Sequence, residues 1–582
     1  MVSLKDVYPE KARYSPREPV RLQVEIQGVP EEGQLISASV TDLAKKVGSC
    51  NPTTLTTHPT SKFLISCSIP PDDFRGYLVT LEIHSADGRT ISSRETAIDV
   101  SSDWKRFPRY GYLAHYNNRE GARPKEWIAD LNRFHINGLQ FYDFQYRHDQ
   151  PLAGTVQQPA STWKDIAGRR VDASIVSSFI QEAHAHNMMA MAYNASYSAY
   201  EDIFTRPQSL PLRWATWTSA DGPRTPQTAK NLPMHIPGGV TSKLFYMNQN
   251  DLGWQNYLCG QMHLLFEVYP FDGWHIDTFG DNGGYAFDRS PVSYVAGFKQ
   301  YIDHAQTSLK KSIVFNAVNT VGQDKIANSA ADFVYSELWE DHETFANILE
   351  TAEQVHIANP AKGYVIAAYL HRNETKDVPQ SQATQFNPAS VLLTDAAIFA
   401  SGAAHIELGD GDRMLSSEYF PADTKLTVSS ELRESLRHYY DFLTAYEVYL
   451  RDQLLPAPVA VAVEGQPVDA LGVPNTLWSI AKQRDGMTLV HLINLLGSDD
   501  PHWRDISISR SDAPQLHDLH VKVTLSKRVR SVGWASPDVD GGRFHVLTFQ
   551  KDSTKQGDEI GLMLPELHYW DTLFIETDPQ AP

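Results

Sequence analysis

The segment Gly273-Trp274-His275-Ile276-Asp277-Thr278-Phe279-Gly280 is a mostly apolar run that ends on one aspartate and breaks into Gly280-Asp281-Asn282-Gly283-Gly284. About sixty residues on, Asp332-Phe333-Val334-Tyr335-Ser336-Glu337-Leu338-Trp339 repeats the pattern with a glutamate. A carboxylate at the C-terminal end of a buried strand, followed by a loop, is how a (β/α)8 barrel presents a reactive group. An aspartate and a glutamate on two such strand ends are the chemical minimum for cutting a glycosidic bond. One protonates the leaving oxygen, and the other attacks the sugar or activates water.

Facing comes next. Side chains alternate along a strand, so His275, Asp277 and Phe279 share one face, while Trp274, Ile276 and Thr278 share the other and can pack on helices. Tyr335, Glu337 and Trp339 share a face by the same rule. A glutamate among aromatics resists ionisation, because desolvation penalises the charged form. That suits a general acid. The plainer alternatives are a strand-end aspartate capping its loop and a salt-bridged structural glutamate. Glu340 and Asp341 read as solvent-side charges or first-turn helix residues.

A third strand end carries Phe141-Tyr142-Asp143-Phe144-Gln145-Tyr146-Arg147-His148-Asp149. There Asp143 shares a face with Phe141 and Gln145 and can reach sugar hydroxyls; the alternative is a structural aspartate paired with Arg147 or His148. Asn194 and Tyr197 end strand three, Asn316 and Asn319 end strand five, and Glu407 ends strand eight. Each of these is also an ordinary turn residue. Tyr112, Tyr197, Trp339 and Tyr369 supply flat apolar faces for sugar rings at the mouth.

The elements that must position these groups follow from periodicity. The chain has 582 residues, 42% hydrophobic and 21% charged, enough for several globular domains. Residues 1–102 read as a β-sandwich, with period-two runs at Val20–Ile26, Leu35–Val40 and Tyr77–Ile83 between Pro and Gly turns. From Tyr110 strands and helices alternate. Strand candidates are Tyr110–His115, Gly138–Phe144, Met189–Tyr193, Gly273–Thr278, Ser312–Ala317, Phe333–Leu338, Tyr364–Leu370 and Ala404–Leu408. Helical patterns include Lys125–Phe134, Asp172–His186, Trp254–Val268 and Val292–Leu309. Eight such units over about 300 residues suit a (β/α)8 TIM barrel, assigned to 103–454, better than an open sheet. The stretch from Ser198 to Leu252 is too long for a plain connection and reads as a binding-face loop. After a helix over Glu431–Arg451, Leu477–Lys482, Met487–Leu492, Val521–Leu525, Phe544–Phe549 and Tyr569–Glu576 make a second β-sandwich, 455–582.

A net charge of −19 argues against nucleic acid and anionic membrane as partners, since both select clustered cations. No apolar run of about 18 residues appears. No GxGxxG, Walker A or metal-ligand spacing appears, so neither cofactor nor metal is expected. Cys50 and Cys67 read equally as a disulfide or as buried thiols; Cys259 stands alone. Met1-Val2-Ser3-Leu4-Lys5 is not a leader. The expectation is a monomer, secreted from a precursor whose leader is not part of this sequence; an intracellular location is the alternative.

The blocks together resemble glycoside hydrolase family 66. They are Ile136–Asp143, Tyr146–Pro151, Ala192–Tyr197, Asp272–Thr278, Asn316–Asn319, Tyr335–Trp339, Leu393–Ala396 and Glu407–Asp410, with Tyr439–Phe442 beyond. The resemblance implies an immunoglobulin-like N-terminal domain, a TIM barrel, a C-terminal β-sandwich and a retaining mechanism. It implies that Asp277 is the nucleophile, Glu337 the acid/base and Asp143 a substrate contact. Candidate substrate contacts are then Tyr112, Asp143, His148, Asn194, Tyr197, Trp274, Asn319, Trp339, Tyr369 and Glu407. The family holds endo-dextranases and cycloisomaltooligosaccharide glucanotransferases. The latter carry a module near strand seven, where this chain has only about twenty residues between Leu370 and the helix near Pro388. The expectation is therefore an endo-acting α-1,6-glucanase (dextranase) acting on dextran and isomaltooligosaccharides. The alternatives are intramolecular transglycosylation and, in another class, a silent glucan-binding protein.

Overall fold

Eight parallel strands at the centre of the chain pair in sequential order. They are Tyr110–Leu113, Gly138–Phe141, Met189–Ala195, Gly273–Asp277, Ser312–Asn316, Val334–Leu338, Tyr364–Ala368 and Ala404–His405, called strands one to eight. The computed structural model describes residues 2–56, 61–206, 209–220, 244–371, 385–411, 413–416, 426–484, 486–555 and 557–578. The stretch between Leu370 and Pro388 and the long one after Ser198 therefore lie partly outside the described residues. The register carries the strand ends to one level: Ala195 lies beside Asp277, Asn316 beside Tyr335 and Glu337 beside Ala367. The two edges meet, because Tyr112 N donates to Leu408 O at 3.1 Å and Ala114 N to Asp410 Oδ2 at 3.1 Å. The sheet is thus barrel-like.

Helices Pro124–Arg133, Ala173–Ala185, Leu252–Val268, Tyr294–Leu309, Gln323–Ala327, Phe345–Ala358, Pro388–Ala400 and Ser430–Ala445 lie between or after the strands. Their starts are set by polar caps. Asp251 accepts from Gly253 N and Trp254 N, Ser293 from Ala296 N, and Thr344 forms a reciprocal cap with Asn347. Asn387 caps the helix whose first residue is Pro388, a position where the missing N–H costs nothing. No described helix is long and apolar enough to cross a membrane.

Seven antiparallel strands between Ser3 and Val100 form the N-terminal unit around Leu22, Val24, Ile36, Val40, Val79, Leu81 and Ile98. Cys50 and Cys67 pair across neighbouring strands there and form a disulfide, while Cys259 is free and buried. The C-terminal unit has two sheets that share a core of Val490, Leu492, Val521, Val523, Leu562, Leu564, Leu573 and Ile575. Buried polar contacts tie the units together. Arg109 pairs with Asp99 at 2.6 Å and Glu447 at 2.7 Å, all three fully buried. Trp104 lies so close over Gly138 that an added Cβ would come within 2.2 Å of the ring. That glycine is the small residue that lets the linker pack on strand two.

Candidate active site

Asp277 is the last residue of strand four, Asn316 the last of strand five, and Glu337 the fourth of strand six. Consecutive strands therefore bring all three to one end of the sheet. The alternation read from sequence holds here. His275 lies inside, 4.8 Å ring to ring from Tyr335 and hydrogen-bonded to Tyr110, and Asp277 and Glu337 stand above this aromatic floor. Burial pushes the His275 imidazole down to about 3, so the floor is uncharged near neutral pH.

The two carboxyls have different surroundings. Asp277 accepts from Tyr193 Oη at 2.5 Å, Asn316 Nδ2 at 2.8 Å and Thr278 N at 2.8 Å. Burial raises its pKa, and the three donors hold it back. Glu337 accepts from Tyr369 Oη at 3.0 Å and Trp339 Nε1 at 3.1 Å. Its pKa is pushed up to about 8, first by burial and next by the charge of Asp277, against the pull of Tyr369, Trp339 and Asn316. Asn316 thus touches both groups. Close carboxyls titrate as a pair: Asp277, with three donors against two, is the better-stabilised anion, and the shared proton sits on Glu337. Such a pair can supply one nucleophile or base and one acid.

The model of glycosyl hydrolase family 66 matches residues 9–574. This chain belongs to glycosyl hydrolase family 66. A cycloisomaltooligosaccharide glucanotransferase of Niallia circulans is 26% identical, over 99% of this chain and 72% of that protein. A dextranase of Streptococcus salivarius is 25% identical, over 87% of this chain and 68% of that protein. The crystal structure of a Paenibacillus glucanotransferase with cycloisomaltoheptaose superposes with a TM-score of 0.87 at 23% identity, covering 99% and 100% of the two chains. At that identity the superposition speaks to the fold.

The structure distributes the other expected residues of this family 66 chain unevenly. Trp339 and Tyr369 both meet Glu337 and stack on each other, centroids 4.6 Å apart and planes at 15°. Asn319, in a left-handed turn, accepts from Trp339 N at 3.2 Å and bonds His342 at 2.8 Å, so it holds the loop after strand six. Tyr197 is buried among Tyr246, Phe279 and Tyr294. Asp143 lies beyond strand two, which ends at Phe141, in a left-handed turn with φ 47°. Its pairing with Arg147 does not occur, because Arg147 binds Asp202 at 2.8 Å. Burial raises Asp143 to about 7, with Asp277 among the charges it feels. His148 accepts from Ala195 N at 3.1 Å and from Gln145 Nε2 at 3.2 Å on Nδ1, and its carbonyl accepts from Asn194 Nδ2 at 2.5 Å. His148 and Asn194 therefore fasten the loop after strand two to strand three.

Three expectations change. Trp274 is fully buried against Tyr301 of helix Tyr294–Leu309, in the outer layer, where the alternation itself had put it. Tyr112 is fully buried and covers Gly409. Glu407 points outward, accepting from Tyr440 Oη of helix Ser430–Ala445 at 2.9 Å and lying beside Asp395 and His405. Period two says that His405 and Glu407 share a face; it does not say which face looks inward. Asp395, His405 and Glu407 have donor atoms within 4.8 Å of one another, the one spacing among the described residues that could hold a metal ion. Tyr193 was missed in the sequence as a site residue, although its inward place in strand three, beside His275, was the available signal.

Proposed function

We propose that this chain is an endo-acting, retaining dextranase that cleaves α-1,6-glucosidic bonds to release isomaltooligosaccharides. The observation that carries this reading is the pairing of Asp277, supplied with three hydrogen-bond donors, with Glu337, held protonated to about pH 8. We take the catalytic unit to be a TIM barrel over 103–454, between an immunoglobulin-like sandwich (1–102) and a second sandwich (455–582). In the first step an Asp277 oxygen attacks the anomeric carbon, the glycosidic C–O bond breaks, and Glu337 gives its proton to the departing oxygen. In the second, Glu337 takes a proton from water, the water oxygen attacks the same carbon, and the Asp277 ester is released. Asp143, Trp339 and Tyr369 are assigned to the sugar next to the cut. The Cys50–Cys67 disulfide favours secretion into an oxidising compartment.

A second reading is cyclisation, in which the chain's own 6-hydroxyl replaces water. It is favoured by the glucanotransferase names of two relatives. The short sequence between Leu370 and Pro388, too small for an inserted module, favours hydrolysis. Time courses on dextran separate the two: hydrolysis gives linear products and a viscosity drop ahead of reducing ends, with starch left nearly untouched. Cyclic products as the main output would replace the first reading with the second. Comparable rates on starch would contradict the α-1,6 assignment.

A further inference from the structure

A loop of the C-terminal sandwich, residues 498–511, lies against the loop that follows strand six. Phe345 N donates to Pro501 O at 3.0 Å, Trp503 N to Glu343 O at 2.8 Å, and Trp503 Nε1 to His342 O at 2.7 Å. The same loop is tied to the next unit of the central sheet, strand seven and the helix that follows it. Asp505 O bonds His371 Nδ1 at 2.7 Å, and Asp505 Oδ2 accepts from Ser390 Oγ at 2.6 Å. At its centre Arg504 is only 3% exposed. Its Nη2 donates to Leu338 O at 2.9 Å, and its Nε lies 3.3 Å from Glu343 Oε1. The guanidinium carbon sits 4.8 Å from the ring centre of Trp503 and 5.6 Å from that of Trp339. Leu338 and Trp339 are the two residues after Glu337, and Trp339 donates its indole N–H to that carboxyl.

We propose that Arg504 is a positioning residue for the acid/base: from the C-terminal sandwich it fixes Trp339 so that the indole N–H stays on Glu337. A cation on an aromatic face is attracted by the ring quadrupole, and more strongly where water is excluded. It also draws electron density from the indole and makes the N–H a better donor. The bond to Leu338 O fixes the backbone from which the indole projects. Planarity matters, because a guanidinium can lie against an indole while it bonds a carbonyl and pairs with a nearby carboxylate; an ammonium cannot do all three. The C-terminal sandwich therefore acts on the chemistry through Trp339, without reaching the sugar. The inference rests on Glu337 being the acid/base.

The test is the pH profile of kcat/KM on dextran. The acid must be protonated to work, so activity falls as pH rises through its pKa. A weaker N–H bond stabilises the ionised carboxyl less, which moves this limb upward. Arg504→Met is expected to shift it up by about 0.5 to 1 pH unit. Trp339→Phe, which keeps a ring and removes the N–H, is expected to shift it by about one unit. The double variant should shift no further than Trp339→Phe alone, because both act through one bond. Arg504→Lys guards against misfolding: it keeps a cation, loses the planar contact, and should shift the limb in the same direction by less. Melting curves establish that each variant is folded. An unmoved limb in folded Arg504→Met and Arg504→Lys would overturn the inference alone, as would a shift that persists in the Trp339→Phe background. A limb that survives in Glu337→Gln, followed on a glucosyl fluoride, would remove the acid/base reading and the inference with it.

Discussion

Two pairs of carboxyls stand in different settings in this chain, one at the strand ends and one behind strand eight. Asp277 and Glu337 stand at the strand ends, with Asp277 at 9% exposure and five hydrogen bonds from Tyr193, Asn316, Thr278, Tyr369 and Trp339 between them. Asp395 and Glu407 are 0% and 1% exposed, behind strand eight, with His405 at 2.9 Å from Asp395 and Tyr440 at 2.9 Å from Glu407. Burial raises the pKa in both pairs: Asp395 is pushed up to about 8 and Glu407 well above its ordinary range. A raised carboxyl pKa therefore does not by itself mark a catalytic acid. What separates the pairs is the partial exposure of Asp277 and Glu337 at the strand ends and the three donors on Asp277, which favour its ionisation while its neighbour keeps a proton.

That comparison breaks most sharply under substitution at the first pair. Asp277→Asn and Glu337→Gln should each cut kcat on dextran by about a thousandfold or more, with melting temperature little changed. Only Glu337→Gln should recover on a glucosyl fluoride, whose leaving group needs no proton. Equal recovery in Asp277→Asn would reverse the two roles.

Asp143 tests how far the reactive region extends. Asparagine tolerates its left-handed turn, so Asp143→Asn isolates the charge from the backbone. A lost charged hydrogen bond to a sugar hydroxyl should lower kcat/KM about ten- to a hundredfold. Wild-type kinetics would make Asp143 a structural residue like Glu407.

The second pair should affect stability and leave the chemistry alone. Its folded-state pKa values lie above the unfolded ones, so the folded chain binds the extra protons. Its stabilising contribution is present in full below about pH 4 and is lost as pH rises toward 8. Glu407→Gln should keep kcat within about twofold and flatten the fall of melting temperature between those pH values. A large kcat loss in a well-folded Glu407→Gln would erase the distinction between the pairs.

The sequence was most legible where a strand ran straight to its functional end. The apolar runs before Asp277 and Glu337 are strands in the structure, and the inward face of each follows from alternation. Legibility failed where alternation had no anchor. Asp143 sits two residues past its strand, so period two no longer governs its direction. Glu407 shares a face with His405, but the inward face of a two-residue strand is set by Tyr440 and Asp395, which lie elsewhere in the chain. Arg504 comes from a loop more than 160 residues after Trp339, in a different sheet system, and no local pattern marks it. Packing between distant segments decides such residues, and that information is not in any one window of the chain.

The most direct test of the central claim is covalent trapping. Glu337→Gln treated with 5-fluoro-α-glucosyl fluoride should form the ester but release it slowly, because no base activates water. Peptide mass spectrometry is predicted to find one fluoroglucosyl group, on the peptide that carries Asp277, and none in Asp277→Asn. A label on another carboxylate, or inversion at the anomeric carbon with no adduct at all, would contradict the assignment of Asp277 as the nucleophile of a retaining enzyme.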